Sequence, residues 1–316
     1  MLKKLNPVLA FLMLFLLVFC SCNAPRSILT SGKVVPKNEV RFGRNYTFNV
    51  SSAPIEKSAK GSYDLAKGLS NSDTVRYSQQ IQNINSALIA YCLDPIGYNT
   101  ETYFRYGLGH HLDMGFKNTG GANAFDMNYQ FLGSTKNFNE TDAKGGMYGS
   151  IGIQYSHENY RFVHIHMFDK VQNLFGIQMS RKDLTVPLVF SKSFGPEERV
   201  GCFSFGLVYS HSFIKYKIST KDIYYVSQNT NIPTNLLAPV SGKMNYGAYG
   251  AFFNIKIGKK YVFFNFSLAA YYQNYGRYAL LGGNTVLLKG VSIVPSYGLQ
   301  FNILPKAKKK VTGTEI

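Results

Sequence analysis

Gly201-Cys202-Phe203-Ser204-Phe205-Gly206-Leu207-Val208-Tyr209-Ser210-His211-Ser212-Phe213 alternates in character from one residue to the next. Odd positions hold Phe203, Phe205, Leu207, Tyr209 and Phe213, and even positions hold Cys202, Ser204, Gly206, Val208, Ser210 and Ser212. Side chains of a strand point alternately to its two faces, so one face here is greasy and the other small. The run also outlasts the roughly five or six residues of an ordinary soluble strand and reaches the roughly 9 to 11 that a tilted membrane strand needs. This segment therefore reads as a wall strand of an antiparallel transmembrane β-barrel.

The pattern recurs. Val291, Ile293, Pro295, Tyr297, Leu299, Phe301 and Ile303 alternate with Ser292, Val294, Ser296, Gly298, Gln300 and Asn302, and Phe125, Met127, Tyr129 and Phe131 alternate with Asp126, Asn128 and Gln130. Segments of this kind lie near 39–51, 86–94, 101–108, 111–118, 122–132, 145–156, 160–168, 172–181, 184–193, 199–217, 243–257, 259–273 and 287–303. Single-chain bacterial barrels close with an even number of strands, so the expectation is about 12, within 10 to 14. The connections at 52–85, 133–144, 218–242 and 274–286 are rich in Asn, Ser, Thr, Gly and Lys, and the first has room for a short helix over Thr74 to Asn85. If that loop folded inward it would close the bore.

The chain opens on Lys3 and Lys4 and an apolar run from Val8 to Phe19, the layout of a secretory signal. Phe19-Cys20-Ser21-Cys22 then resembles a lipobox, which assigns a signal peptide to 1–21 and acyl chains to Cys22. Residues 22–38 read as a lipid-anchored linker, 39–304 as the barrel and 305–316 as a basic tail with Lys306, Lys308, Lys309 and Lys310. Diacylation would supply the two chains that stable anchoring requires. The expected location is the bacterial outer membrane, with the protein both lipid-anchored and integral, and the expected partners are outer-membrane lipid and lipopolysaccharide.

Charged residues are 16% of the chain and aromatics 15%, all Tyr or Phe, a balance that suits a membrane wall with aromatic girdles. The net charge of +17 raises nucleic acid as a ligand, but an exported barrel meets none, so the excess needs another use. Arg105, Lys117 and Lys256 fall on the polar register of their strands, and an open lumen lined by them would favour anions. Their alternative fates are pairing with inward Asp113 and Asp126 or a seat near the membrane edge against anionic lipopolysaccharide. Cys92 and Cys202 lack any CxxC spacing, which leaves a disulfide undecided and argues against a metal knuckle.

Tyr103-Phe104-Arg105-Tyr106-Gly107-Leu108, then Leu112-Asp113-Met114-Gly115-Phe116-Lys117, then Phe125-Asp126-Met127-Asn128-Tyr129-Gln130-Phe131-Leu132 resembles a pattern of Bacteroidetes-type outer-membrane β-barrel proteins, porin-like and often lipoproteins. The resemblance implies location and fold and says nothing of a substrate.

Catalytic and metal sites find little footing. His164 and His166 share one face of an expected strand, but a metal needs further ligands, and Glu158, Asp169 and His157 are loosely placed. Ser156-His157-Glu158 offers a nucleophile, a base and a carboxylate, yet adjacent residues of a strand face opposite ways. His110 and His111 lie in a tight turn. The reading is a non-catalytic barrel, channel-like or structural, with no cofactor. Its rivals are a lipid-anchored soluble β-cup or sandwich with its apolar faces inward, and a barrel enzyme acting on outer-membrane lipid through Ser156, His157 or His211.

Overall fold

Period-two patterning becomes, in a computed structural model, a closed antiparallel sheet of ten long strands. The structure describes residues 26–57, 77–135, 146–161, 175–220, 224–226, 233–236 and 238–303. The chain forms β1 (Val40–Ser51), helix α1 (Tyr77–Leu93), β2 (Gly97–Gly107), β3 (Leu112–Asn118), β4 (Ala122–Leu132), β5 (Met147–Arg161), β6 (Phe175–Ser193) and β7 (Gly201–Thr220). A small hairpin follows, β8 (Tyr224–Val226) and β9 (Pro233–Leu236), and then β10 (Val240–Lys259), β11 (Val262–Ala279) and β12 (Thr285–Ile303).

Around the barrel the order is β1, β12, β11, β10, β7, β6, β5, β4, β3, β2, with β8 and β9 forming a separate sheet. The seam pairs the first strand with the last, Val40 opposite Ile303. A closed antiparallel sheet leaves no unpaired edge, which is the condition a sheet must meet in hydrocarbon. The connections 52–96 and 221–239 leave from one end, here called upper, while Val40 and Ile303 lie at the lower end with the two-residue turn Lys260-Tyr261.

The expectation of about 12 strands is corrected to ten. The segment 86–94 is not a strand but the second half of α1: Leu88, Ile89, Ala90, Cys92 and Leu93 are buried, and a short continuous apolar run does not reveal its period. The segments 172–181 and 184–193 are one strand, β6. Arg181-Lys182-Asp183 looks like a charged turn, yet Arg181 and Asp183 point inward and pair with each other (Nε to Oδ1 2.8 Å), while Lys182 points out. The segment 160–168 reaches beyond the described residues after Arg161, as do the signal peptide at 1–21, Cys22 and the basic tail. Among the described residues no helix is long and apolar enough to cross a membrane.

The interior has two layers. The upper layer is apolar and aromatic: α1 packs Leu88, Ile89 and Leu93 with Ile177, Met179, Ile214, Tyr216, Ile218, Tyr246, Tyr275, Tyr278 and Leu288 from the wall. The lower layer is polar, with Gln130, Ser191, Ser204, Asn254, Lys256, Asn265 and Ser267 all buried. Outside, the faces are the reverse of a soluble protein: Leu207 is 63% exposed, and Phe203, Phe205, Tyr209, Phe213, Phe264, Phe266, Tyr297 and Leu299 are exposed with it.

Candidate functional site: an occupied lumen

The segment expected to be a linker runs lengthwise through the barrel. Residues 26–38 descend from the level of α1 to the lower end, where Asn38, in the left-handed region at φ 65°, turns the chain into β1. A chain in the middle of a ring has no sheet neighbour, so its backbone groups need partners from the wall. They find them on many strands. Tyr271 donates its hydroxyl to the Arg26 carbonyl at 2.6 Å, and Lys117 Nζ donates to the Ser27 carbonyl at 2.9 Å. Ser267 Oγ reaches the Ile28 carbonyl at 3.1 Å, and Asn254 Nδ2 the Thr30 carbonyl at 2.8 Å. The amides of Gly32, Val34 and Val35 donate to Ser191 Oγ (3.0 Å), Gln130 Oε1 (3.0 Å) and Asp113 Oδ2 (2.7 Å).

The fit leaves no room for a side chain at Gly32, where a Cβ would stand 2.5 Å from the Tyr148 carbonyl oxygen. Beside the segment remains a cavity of ≈ 80 Å³, lined by Thr30, Arg41, Asn45, Asn128 and Gln154 among others. That volume holds about half a dozen water-sized molecules.

Charges hold the segment at both ends. At the upper end Arg26 pairs with Asp94, the residue that follows α1 and is 2% exposed. Asp94 also accepts from Asn49 Nδ2 (2.7 Å), Gln273 Nε2 (2.9 Å), the Tyr275 hydroxyl (2.7 Å) and the Ser292 hydroxyl. Burial works to raise the Asp94 carboxyl, but Arg26 and the hydroxyl donors outweigh it and hold it below the usual range. Arg181 Nη1 ties the end of α1 to the wall through the Leu93 carbonyl at 2.9 Å.

At the lower end Lys33 pairs with Glu197, and Glu198 accepts from Lys256 (2.5 Å), Ser31 (2.9 Å) and Ser191 (3.1 Å). Both glutamates sit in the turn Pro196–Glu198 with positive φ, 51° and 59°, a conformation that costs a non-glycine residue about 1–3 kcal/mol. The turn keeps it because it aims both carboxylates up into the lumen. Burial opposes the charge of Glu198, yet Lys256, Arg41 and Lys33 prevail and bring it down to about 2.

The three cations expected in the lumen are there, and each faces a carboxylate. Arg105 pairs with Asp113 (Nη1 to Oδ1 2.5 Å) and Asp126, Lys117 lies 3.7 Å from Glu101, and Lys256 holds Glu198. The lumen is thus charge-compensated, which removes the basis for reading it as an anion-selective bore. The residues that the sequence reading missed are Arg26, Lys33, Asp94, Glu197 and Glu198. The signal was present in Ser27-Ile28-Leu29-Thr30-Ser31-Gly32-Lys33-Val34-Val35, too apolar for a solvated linker.

The remaining candidates scatter. Ser156 and Glu158 are buried inside while His157 lies on the outer face, so the triplet does not converge. His211 lies on the outer wall, its Nδ1 3.1 Å from the Tyr209 hydroxyl, and His111 packs on Tyr129 in the β2–β3 turn beside His110. His164, His166 and Asp169 fall outside the described residues. Among the described residues no group of three metal-ligating side chains forms. Cys92 lies in α1 at the upper end and Cys202 at the start of β7 near the lower, and no disulfide joins them.

No protein-family model matches the chain, and no curated protein matches it. Solved structures similar to it include the attachment invasion locus protein Ail of Yersinia pestis (8% identity, 84% of this chain and 99% of that one, TM-score 0.32). Neisserial surface protein A gives 6%, 83% and 95%, and 0.28. The outer membrane protein OprG of Pseudomonas aeruginosa gives 8%, 87% and 100%, and 0.26. Identities and scores this low tie the chain to none of the three.

Proposed function

We propose that the chain is a non-catalytic β-barrel of the bacterial outer membrane that is kept shut by its own N-terminal segment and by α1 above it, and so serves as a wall and surface protein in place of an open porin. The observation that carries this is the bonding of residues 26–35 to the wall along the lumen, from Arg26 on Asp94 to Val35 on Asp113. Two features support the membrane. The outer faces expose large apolar side chains on strand after strand, Phe104, Phe125, Ile153, Leu207, Tyr249, Phe264 and Leu299 among them, a patch far beyond what monomeric soluble proteins usually show, and the sheet closes without an edge.

The soluble cup needs the apolar faces of its wall inward, and here Phe205, Leu207, Phe264, Tyr297 and Leu299 are exposed on the outside. The lipid-modifying enzyme needs Ser156, His157 or His211 to meet a carboxylate, and they point apart. The proposal also takes in the signal peptide over 1–21, acylation of Cys22, a Bacteroidetes-type origin and lipopolysaccharide as a neighbour, all supported by sequence alone.

The test compares full-length protein and a Cys22→Ala variant in the outer-membrane fraction, unboiled and boiled on a gel, then measures ion conductance in planar bilayers. Both proteins should stay in the fraction and migrate differently unboiled, and both should be silent in the bilayer, while deletion of residues 26–36 together with 77–93, the helix that packs the upper layer, should produce conductance. Release of Cys22→Ala as a soluble protein would sink the membrane reading. Conductance of the full-length protein equal to that of the deletion would sink the shut lumen.

A further inference from the structure

With the lumen charges compensated, further cations of the described strands face outward, and they are not spread evenly. Along β7 the outward side chains read Leu207, Tyr209, His211, Phe213, Lys215 and Lys217 from the apolar band upward, a passage from hydrocarbon to aromatic to cationic within one strand. The aromatic step is a built girdle: Tyr209 and Tyr249 have ring centroids 5.1 Å apart, and His211 meets Phe213 edge-on at 4.8 Å. Such a girdle marks the membrane interface, so the lysines above it stand at headgroup height.

Their arrangement is unusual. Lys215 of β7 is directly opposite Lys243 of β10 in the ladder. Lys182 of β6 is opposite Phe213, one outward position from Lys215, and Lys217 is opposite Gln178 and Ser241. All four lysines are exposed. Like charges directly across a strand pair repel at Cβ separations of about 5 Å. Among the described residues no carboxylate of these strands faces them: β7 and β10 contain no Asp or Glu, and Asp183, the one acid of β6, points inward. Followed round the barrel, the row of Lys182 and Phe213 passes His157, Asn123, Asn118 and Thr102 and then meets Arg44, whose partners opposite, Thr102 and Leu299, are uncharged.

We propose that this face of β6, β7 and β10 seats a phosphorylated glycolipid of the outer leaflet, the lipid part of lipopolysaccharide, with a phosphate bridging Lys215 and Lys243 and acyl chains lying on Leu184, Tyr209 and Tyr249. A phosphate between two opposed ammonium groups turns repulsion into charge-assisted hydrogen bonds to both. The apolar side chains directly below supply the surface that acyl chains cover. This rests on the outer-membrane reading above and deepens it.

The experiment purifies full-length protein in mild detergent, confirms the unboiled mobility shift, and measures retention of three added probes: diphosphorylated lipid A, dephosphorylated lipid A and phosphatidylglycerol. A surface lysine contributes about fivefold to binding an anionic lipid, so Lys215→Gln with Lys243→Gln should lower retention of diphosphorylated lipid A about 30-fold. Lys289→Gln, an exposed cation on β12, should change it little, and the other two probes should bind the unaltered protein weakly. Equal retention by the double variant, an equal loss in Lys289→Gln, or equal binding of phosphatidylglycerol would each overturn the seat. Absence of the mobility shift in the unaltered protein would instead overturn the membrane reading on which it stands.

Discussion

Replacing Asp94 by alanine should loosen the luminal segment from its upper end. Asp94 accepts from Arg26, Asn49, Gln273, Tyr275 and Ser292, so alanine leaves one buried guanidinium without its counter-charge and four neutral donors short of an acceptor. Orphaning a buried charge costs about 3–5 kcal/mol, and the neutral donors add less than their separate values because they share the space vacated. Taking about 4 kcal/mol, at about 1.4 per tenfold, the population with the segment displaced rises by up to about a thousandfold.

A cysteine at Thr30, which lines the luminal cavity, reports this through its rate of reaction with a small water-soluble maleimide. In the Asp94→Ala background that rate should climb by two to three orders of magnitude, roughly as the free energy above dictates. Removing both members of the pair, Arg26→Ala with Asp94→Ala, should be milder than Asp94→Ala alone, because no charge is then stranded. The reasoning fails if Thr30→Cys reacts as slowly in Asp94→Ala as in the parent while the barrel remains folded by its mobility shift, or if the double variant is no milder than the single one.

Three further outcomes follow from the same geometry. Gly32→Val drives a side chain against the Tyr148 carbonyl; overpacking of that kind costs about 1–3 kcal/mol and should lower the temperature at which the unboiled gel form converts to the boiled one. Glu198, held at about 2 against its ordinary 4.5, contributes stability that is fully present above pH 4.5 and is lost as the pH falls toward 2. That contribution is about 3 kcal/mol, so the conversion temperature should drop between pH 5 and pH 3, and Glu198→Gln should flatten the drop. Leu207→Arg places a charge in the middle of the outer apolar band, at a cost of about 2–4 kcal/mol in a bilayer; unaltered yield of the heat-modifiable form would contradict the membrane-facing assignment.

The wall was legible in the sequence and the contents were not, for a physical reason. Alternation such as Phe203, Phe205, Leu207 against Ser204, Gly206, Val208 is a local property, and a strand declares its two faces within its own residues. Strand β4 was read to the residue, Ala122–Leu132, because its outward Phe125, Met127, Tyr129 and Phe131 are bounded by Gly120-Gly121 and Gly133. The sequence pattern divides β6 in two because the inward pair Arg181 and Asp183 is only recognisable as a pair once both are known to point into a lumen. Helix α1 is only half legible, since Leu88 to Leu93 is apolar all round when packed into the mouth of a barrel. The segment 26–38 depends on contacts with residues as far away as Tyr271, and no local pattern predicts a neighbour 245 positions on.

The seam has a consequence for assembly. Strand β1 follows the luminal segment directly, and β12, the last strand of the ring, closes against β1 from Val40–Ile303 to Ser51–Ser292. The segment therefore passes through the ring that its own continuation completes, like a thread through a bead made from the same thread. The least obstructed route is to lie along the open sheet while Gln130, Ser191, Asn254 and Ser267 are still reachable from the side, and for β12 to zip last. The nineteen residues of β12 then act as the gate behind residues 26–38, and the first and last strands of the ring must arrive together.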